Sequence, residues 1–267
     1  SCLPVLPKCL FCSIVFITVI LKHDNIMHLP DGFLNDKTNA AMFGAAAVGL
    51  AHALEKARAS IVEKVPVFKL KLATYPQTGS PEISARSRVS ETGKEKIWRM
   101  AAVGSFIFAA QMINFSITGG VSGHLLGGVL AALIVGPWEA LIVMSVILAT
   151  QAFVFGDGGI VALAANIVNI GIVGTLGGYY FYVLTSGLLK NAKNRYTFSV
   201  AFAAWLSVVL ASIAVSVEIA ISGTGSLSSI LPEMLQYHIF IGIGEALITV
   251  VALSYLGKNG FQLYIED

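Results

Sequence analysis

Apolar and polar positions alternate along this chain on the scale of whole helices. Seven apolar stretches, at roughly 38–59, 97–116, 123–135, 137–155, 159–189, 197–222 and 233–257, are separated by short polar turns and one long polar interval. A helix needs about 20 residues to span a bilayer core. The third stretch falls short of that: it starts in a cluster of glycines (Gly119, Gly120, Gly123, Gly127, Gly128) and stops at Gly136-Pro137. Short or broken helices inside a membrane line protected cavities, because lipid cannot satisfy loose backbone groups. The fifth stretch is long enough that it must tilt, bend or project. The pattern predicts an all-α, polytopic membrane helical bundle of about seven hydrophobic segments, one of them short or broken.

Composition supports lipid as the solvent. Apolar residues make up 56% of the 267, charged residues 12%, and the mean hydropathy is +0.79. A water-soluble domain carries roughly 25% charged residues. The net charge of +2 and the lack of a basic-aromatic patch give no sign of nucleic-acid binding. All three cysteines, Cys2, Cys9 and Cys12, precede residue 13, and Cys9-x-x-Cys12 has no second Cys or His pair nearby to make a zinc site.

Residues 1–26 stand apart. The apolar run Cys9–Leu21 after Lys8 is too short to span, and Asp24-Asn25-Ile26 is a poor cleavage site. This stretch reads either as a removable leader or as upstream sequence ahead of a start at Met27. Residues 27–267 are the expected working domain.

Charge sets an expected orientation. Ten of the 17 Lys/Arg lie between Lys56 and Arg99, around a polar interval (60–96) that reads as a mobile cytoplasmic loop. Lys190, Lys193, Arg195 and Lys258 fall on the same side when seven crossings are threaded. The positive-inside rule then puts Met27, the Thr118–His124 turn, Phe155–Gly159 and Ser222–Pro232 outside, and the C-terminus inside.

The outer turns hold the candidate chemistry. His28 lies in Met27-His28-Leu29-Pro30-Asp31-Gly32-Phe33. With Met27 as a free N-terminus, its amine, the His28 backbone nitrogen and the His28 ring could chelate one tetragonal ion; otherwise His28 is a surface histidine in a turn. His124, in Ser122-Gly123-His124-Leu125, opens the short third segment, where an ionisable group faces a cavity, a ligand or a carbonyl partner. Asp157-Gly158-Gly159, on the same face, could attract cations but reads rather as a turn. Asn114, Asn166 and Asn169 read as interhelical hydrogen-bond partners. His238 and Glu245, seven residues apart, share a helix face and could pair or support a site; Glu139 and Glu218 are weaker cases. Ala41, Ala45, Gly49 and Ala53 form a small-residue ridge for close helix packing, within the chain or on a partner. The chain has no G-x-x-x-x-G-K-[ST], H-E-x-x-H or G-x-S-x-G motif, so ATP hydrolysis by a phosphate loop, zincin-type proteolysis and esterase chemistry lack support.

At these residues the chain resembles the CbiM/NikM family, the membrane substrate-binding components of cobalt and nickel energy-coupling-factor transporters. The resemblance rests on Met-His-Leu-Pro-Asp-Gly-Phe-Leu at 27–34, Ser-Gly-His-Leu at 122–125, and Gly136-Pro137-Trp138. It continues through Gln151-Ala152, Asp157-Gly158-Gly159, Asn166 and Asn169 to His238 and Ile241-Gly242-Ile243-Gly244-Glu245-Ala246-Leu247. It implies a helical bundle that captures Co(II) or Ni(II) outside through Met27, His28 and His124, with Asp31, Asn114, Ser122, Asp157, Asn166, His238 and Glu245 in support. The implied partners are a transmembrane coupling protein, packed on the Ala41–Ala53 ridge, a cytoplasmic ATPase pair, and a small membrane subunit separate from this chain. The resemblance implies a transport subunit without its own ATPase, in a prokaryotic cell membrane, with no cofactor beyond the transported ion. Binding through an amine and imidazoles would weaken at acid pH. The alternative is a self-sufficient secondary transporter or channel for a cation, with Glu218 and Glu245 as its coupling carboxylates. An intramembrane metalloenzyme would need Asp31 as its acid or base.

Overall fold

The computed structural model describes residues 28–68, 83–112, 115–116, 122–261 and 263–264. Met27 and Asn114, both expected at or near the site, lie outside the described residues, as does the 1–26 segment. Among the described residues there are seven helices, matching the seven apolar stretches. They are α1 Asp36–Ile61, α2 Glu91–Gln111, α3 Gly128–Val135, α4 Pro137–Phe155, α5 Leu163–Leu188, α6 Arg195–Ser222 and α7 Leu227–Lys258. Four of these, α4 to α7, are long and apolar enough to cross a membrane. Large apolar side chains such as Phe43, Trp98, Val154, Leu188, Ile221 and Phe240 are at least 70% exposed, an arrangement that only an apolar surrounding stabilises.

Several helix ends extend past the apolar runs because polar caps hold them. Asn35 opens α1 by accepting from the Thr38 amide (2.8 Å), and Asp36 and Arg58 complement the two ends of the helix dipole. Ser90 does the same for α2, accepting from the Gly93 amide at 2.9 Å. α7 begins at Leu227, so Pro232 lies in its second turn rather than in the preceding turn, where the sequence reading put it.

The 60–96 interval also differs from a plain loop. Strand β1 (Val62–Phe68) pairs antiparallel with β2 (Ile83–Val89), from Val62 opposite Val89 to Phe68 opposite Ile83. The β-branched residues of both segments favour that pairing, and Pro66 is tolerated because each strand of a two-stranded ribbon is an edge.

The third segment is the centre of the fold. A two-residue ladder, β3 (Phe115–Ser116) with β4 (Ser122–Gly123), leads into residues 124–127, which are not helical. The helical part is eight residues, about 12 Å at 1.5 Å per residue, and every one of them is buried. α3 contacts α2, α4, α5, α6 and α7. Gly127 (φ +76°) and Gly136 (φ +102°) bracket it in conformations that side chains rarely adopt. A Cβ on Gly127 would also lie 2.8 Å from Ile107 Cγ2. α5 accommodates its length by unwinding: Ile167–Gly177 is wound as a π-helix, a winding often found at functional sites.

Long-range bonds define two ends. At one, Lys96 on α2 pairs with the buried Glu139 on α4 at 2.5 Å, and Ser60 on α1 donates to the same carboxylate at 2.8 Å. At the other, Asn35 donates to the Ser222 carbonyl at 2.7 Å, and Thr224 donates to the Phe33 carbonyl at 2.5 Å. The basic loops cluster at the first end, and the His28 segment is at the second.

Candidate metal-binding site

The N-terminal segment is drawn into the second end by backbone-directed polar contacts. Asn166 treats Leu29 as a strand partner: its Nδ2 donates to the Leu29 carbonyl and its Oδ1 accepts from the Leu29 amide, both at 3.1 Å. Gly159 N–H donates to the same carbonyl at 3.0 Å. Asp31 caps the approach to α5, accepting from the amides of Ile160 (3.1 Å), Val161 (2.8 Å) and Ala162 (3.0 Å) and so satisfying three backbone donors at once. The Asp157-Gly158-Gly159 turn is therefore the dock for this segment. Gly158 (φ +93°) leaves room for His28, whose Cβ would be 2.8 Å from a Cβ there, and a Cβ on Gly159 would overlap Asp31. Asp157 is 1% exposed beneath the turn.

This docking brings His28 against His124. The two buried rings sit edge to face with centroids 4.9 Å apart. His124 Nδ1 lies 2.9 Å from the Leu125 carbonyl; a carbonyl can only accept, so the neutral ring is protonated there and Nε2 carries its lone pair. His28 Nε2 lies 3.0 Å from Gln151 Oε1 on α4. Gln151 Nε2 donates to Gln111 Oε1 on α2 at 3.0 Å, and Gln111 Nε2 donates to the Leu126 carbonyl at 2.7 Å. Glu245 on α7 accepts from the amides of Leu126 (2.8 Å) and Gly127 (2.7 Å), satisfying the donors at the start of α3. Gln111 and Gln151 are fully buried, where each unmade bond would cost about 1–3 kcal/mol.

The other residues singled out from the sequence take separate places. His238 lies electrostatically in range of His124, with its Nδ1 2.7 Å from the Met234 carbonyl. It does not pair with Glu245, which sits about 10 Å further along α7. Ser122 is placed by its backbone in β4. Asn169 donates to Glu218 at 2.8 Å, joining α5 to α6. The small-residue ridge of α1 divides. Ala41 and Ala45 are exposed, but Ala53 is fully buried and Gly49 packs on Ile172 and Leu141. The expectation of a single partner-facing ridge is corrected for those two residues, because an every-fourth-residue row drifts around a helix of 3.6 residues per turn. Gln111 and Gln151 were not among the expected supporting residues. The criterion that singled out the asparagines, an amide inside an apolar helix, would have found them.

Among the described residues no group of three or more His, Cys, Asp or Glu side chains converges at metal-binding distance. The side chains that meet here are two imidazoles, backed by amides and held by a turn of glycines. Fold and site together define a multi-pass membrane protein with two buried imidazoles paired at one end.

Comparison with known proteins places it further. Residues 83–263 match the family model described as "CbiM: Cobalt uptake substrate-specific transmembrane region", and the chain belongs to that family. It is 30% identical over 233 residues to a putative metal transport protein of Haloquadratum walsbyi, covering 86% of this chain and 89% of that protein. It is 42% identical over 159 residues to a putative fused nickel transport protein, NikMN, of Archaeoglobus fulgidus, covering 58% of this chain; the match spans about half (51%) of that longer protein. The crystal structure of a truncated transition metal transporter superposes with a TM-score of 0.69 at 28% identity, covering 87% of this chain and 99% of that one.

Proposed function

We propose that this chain is the metal-capture subunit of an ATP-driven importer for Co(II) or Ni(II). The observation that carries the reading is the pairing of His28 and His124 as buried neighbours 4.9 Å apart in a chain of the CbiM family. The His124 ring would bind through Nε2 and the His28 ring through Nδ1, the nitrogens left unprotonated by their hydrogen bonds. The remaining donors would be the His28 backbone nitrogen and, in a chain that starts at Met27, the Met27 amine. The same nitrogens serve either ion, so selectivity is geometric.

The end bearing this site faces outward in the proposal, since the basic loops cluster at the opposite end. The partners are a transmembrane coupling protein, a cytoplasmic ATPase pair and a small membrane subunit. The exposed side of α1, around Ala41 and Ala45, is the surface assigned to the coupling protein. The fused NikMN relative, by its name, joins two components in one chain, which fits an assembly of several parts. The test is cobalt and nickel binding by purified protein beginning at Met27. His28→Ala and His124→Ala should each weaken binding by more than the roughly 10–100-fold that loss of a supporting partner costs. Undiminished affinity in both variants would sink the assignment.

A further inference from the structure

The polar contacts behind His28 run in one direction, and the direction is set at the far end. The Leu126 carbonyl can only accept, and the Glu245 carboxylate holds its peptide by taking the Leu126 and Gly127 amides. Gln111 must therefore turn its NH2 toward Leu126 (2.7 Å) and its oxygen toward Gln151. Gln151 must answer with its NH2 (3.0 Å), which leaves its oxygen facing His28 Nε2 at 3.0 Å. An amide oxygen has no proton to give, so Nε2 bears the ring proton. Reversing either amide would set oxygen against oxygen or N–H against N–H at sites with no water access.

We infer that Gln111 and Gln151 are positioning residues: an oriented amide relay that locks His28 in the Nε2–H tautomer and keeps Nδ1 as its electron-pair donor. The consequence for metal rests on the capture reading above. Nδ1 is the only ring nitrogen close enough to its own backbone nitrogen to close a six-membered chelate ring through one ion. Nε2 points away from that backbone. Gln111 does not touch His28 in this chain of contacts, yet it determines which nitrogen is protonated, because without it Gln151 is free to rotate its amide and present N–H to the ring.

The experiment reads the tautomer in metal-free protein labelled with ¹⁵N-histidine. The His28 signals are identified by their loss in His28→Ala, at a pH where the rings are neutral. The unsubstituted protein should show a pyrrole-type Nε2 and a pyridine-type Nδ1. Gln111→Leu should shift His28 toward the Nδ1–H form and weaken cobalt or nickel binding about 10–100-fold, while His124 keeps its tautomer. Gln111→Glu should restore the native pattern. In its protonated form it donates to the Leu126 carbonyl and accepts from Gln151, the two roles of the native amide. Should the leucine variant not fold, Gln111→Met, of nearly the same length and without an amide, makes the same comparison. A native His28 carrying its proton on Nδ1, or a tautomer indifferent to the loss of the Gln111 amide, overturns the relay. A tautomer that follows these substitutions in a protein that binds neither metal overturns the capture reading and leaves the relay standing. A shifted tautomer with unchanged metal affinity overturns the consequence drawn for binding.

Discussion

An imidazole holds a transition metal only through an unprotonated nitrogen, so each ring here is defined as much by its hydrogen-bond acceptor as by its position. The Leu125 carbonyl sets this for His124 and Gln151 for His28. The same rule applies to the proposed terminal donor. An amine at Met27, the His28 backbone nitrogen and His28 Nδ1 would close a five- and a six-membered chelate ring around one ion. One residue added ahead of Met27 turns that amine into a peptide nitrogen without altering either histidine. Calorimetric titration of cobalt or nickel into protein starting at Met27, and into the same protein with one preceding residue, should show affinity lost on extension. Retained tight binding would refute a terminal-amine ligand and leave the two imidazoles to be completed otherwise. Both histidines could be picked out from the sequence: His124 because a titratable group at membrane depth is costly and therefore conspicuous, His28 because it follows Met27, whose free amine would complete a chelate. Gln111 was not, and Gln151 entered only as part of the family resemblance with no role assigned, since an uncharged amide in an apolar helix is a weaker signal and its partner is fixed only by tertiary packing. Asp31 was weighed as an acid or base; its acceptance of three amides gives it the work of a cap instead.

At the scale of elements, the docked N-terminal segment depends on a turn without side chains. The sequence suggested that Asp157-Gly158-Gly159 turns the chain; what it could not reveal is that His28 and Asp31 lie against the two glycines, more than 120 residues away in the chain. Gly159→Ala should therefore displace the segment while the bundle stays folded, because the new Cβ meets the Asp31 carboxylate and backbone nitrogen rather than the core. The expected result is loss of cobalt or nickel binding together with faster protease cleavage near residues 28–35, at unchanged helical content. Equal binding and equal protection would show that the segment is seated by other contacts. The existence and order of the helices were legible from apolar runs, because lipid demands such runs. Their ends were less so, because capping residues such as Asn35 and Ser90 carry helix into polar sequence. The β1–β2 ribbon was missed for a related reason: a polar interval rich in proline and charge reads as a loop, and pairing between its two halves is a long-range fact. The third segment's shortness was visible, but its role as the most enclosed helix, touching five others, came only from packing.

For the whole molecule the question is what drives transport. A self-sufficient carrier needs carboxylates that load and release a coupling ion within the membrane, and the two offered by the sequence were Glu218 and Glu245. Both are buried and engaged: Glu245 holds the Leu126 and Gly127 amides that begin α3, and Glu218 accepts from Asn169 at the unwound part of α5. Releasing Glu245 to bind an ion would leave two amide donors unsatisfied at about 1–3 kcal/mol each and would loosen the loop that carries His124. Glu245 is thus suited to keeping the site in shape and poorly suited to cycling. A capture subunit, by contrast, needs one fixed binding geometry and an outside source of work to change it. Vesicles containing this chain alone should bind cobalt or nickel at the surface yet accumulate none inside, with or without a proton or sodium gradient. Accumulation should appear when a coupling protein and ATPase pair from a related system are co-reconstituted and ATP is supplied on the side of the basic loops. Uptake by the chain alone, abolished by Glu245→Gln while equilibrium metal binding persists, would reverse the assignment and make this protein a secondary transporter.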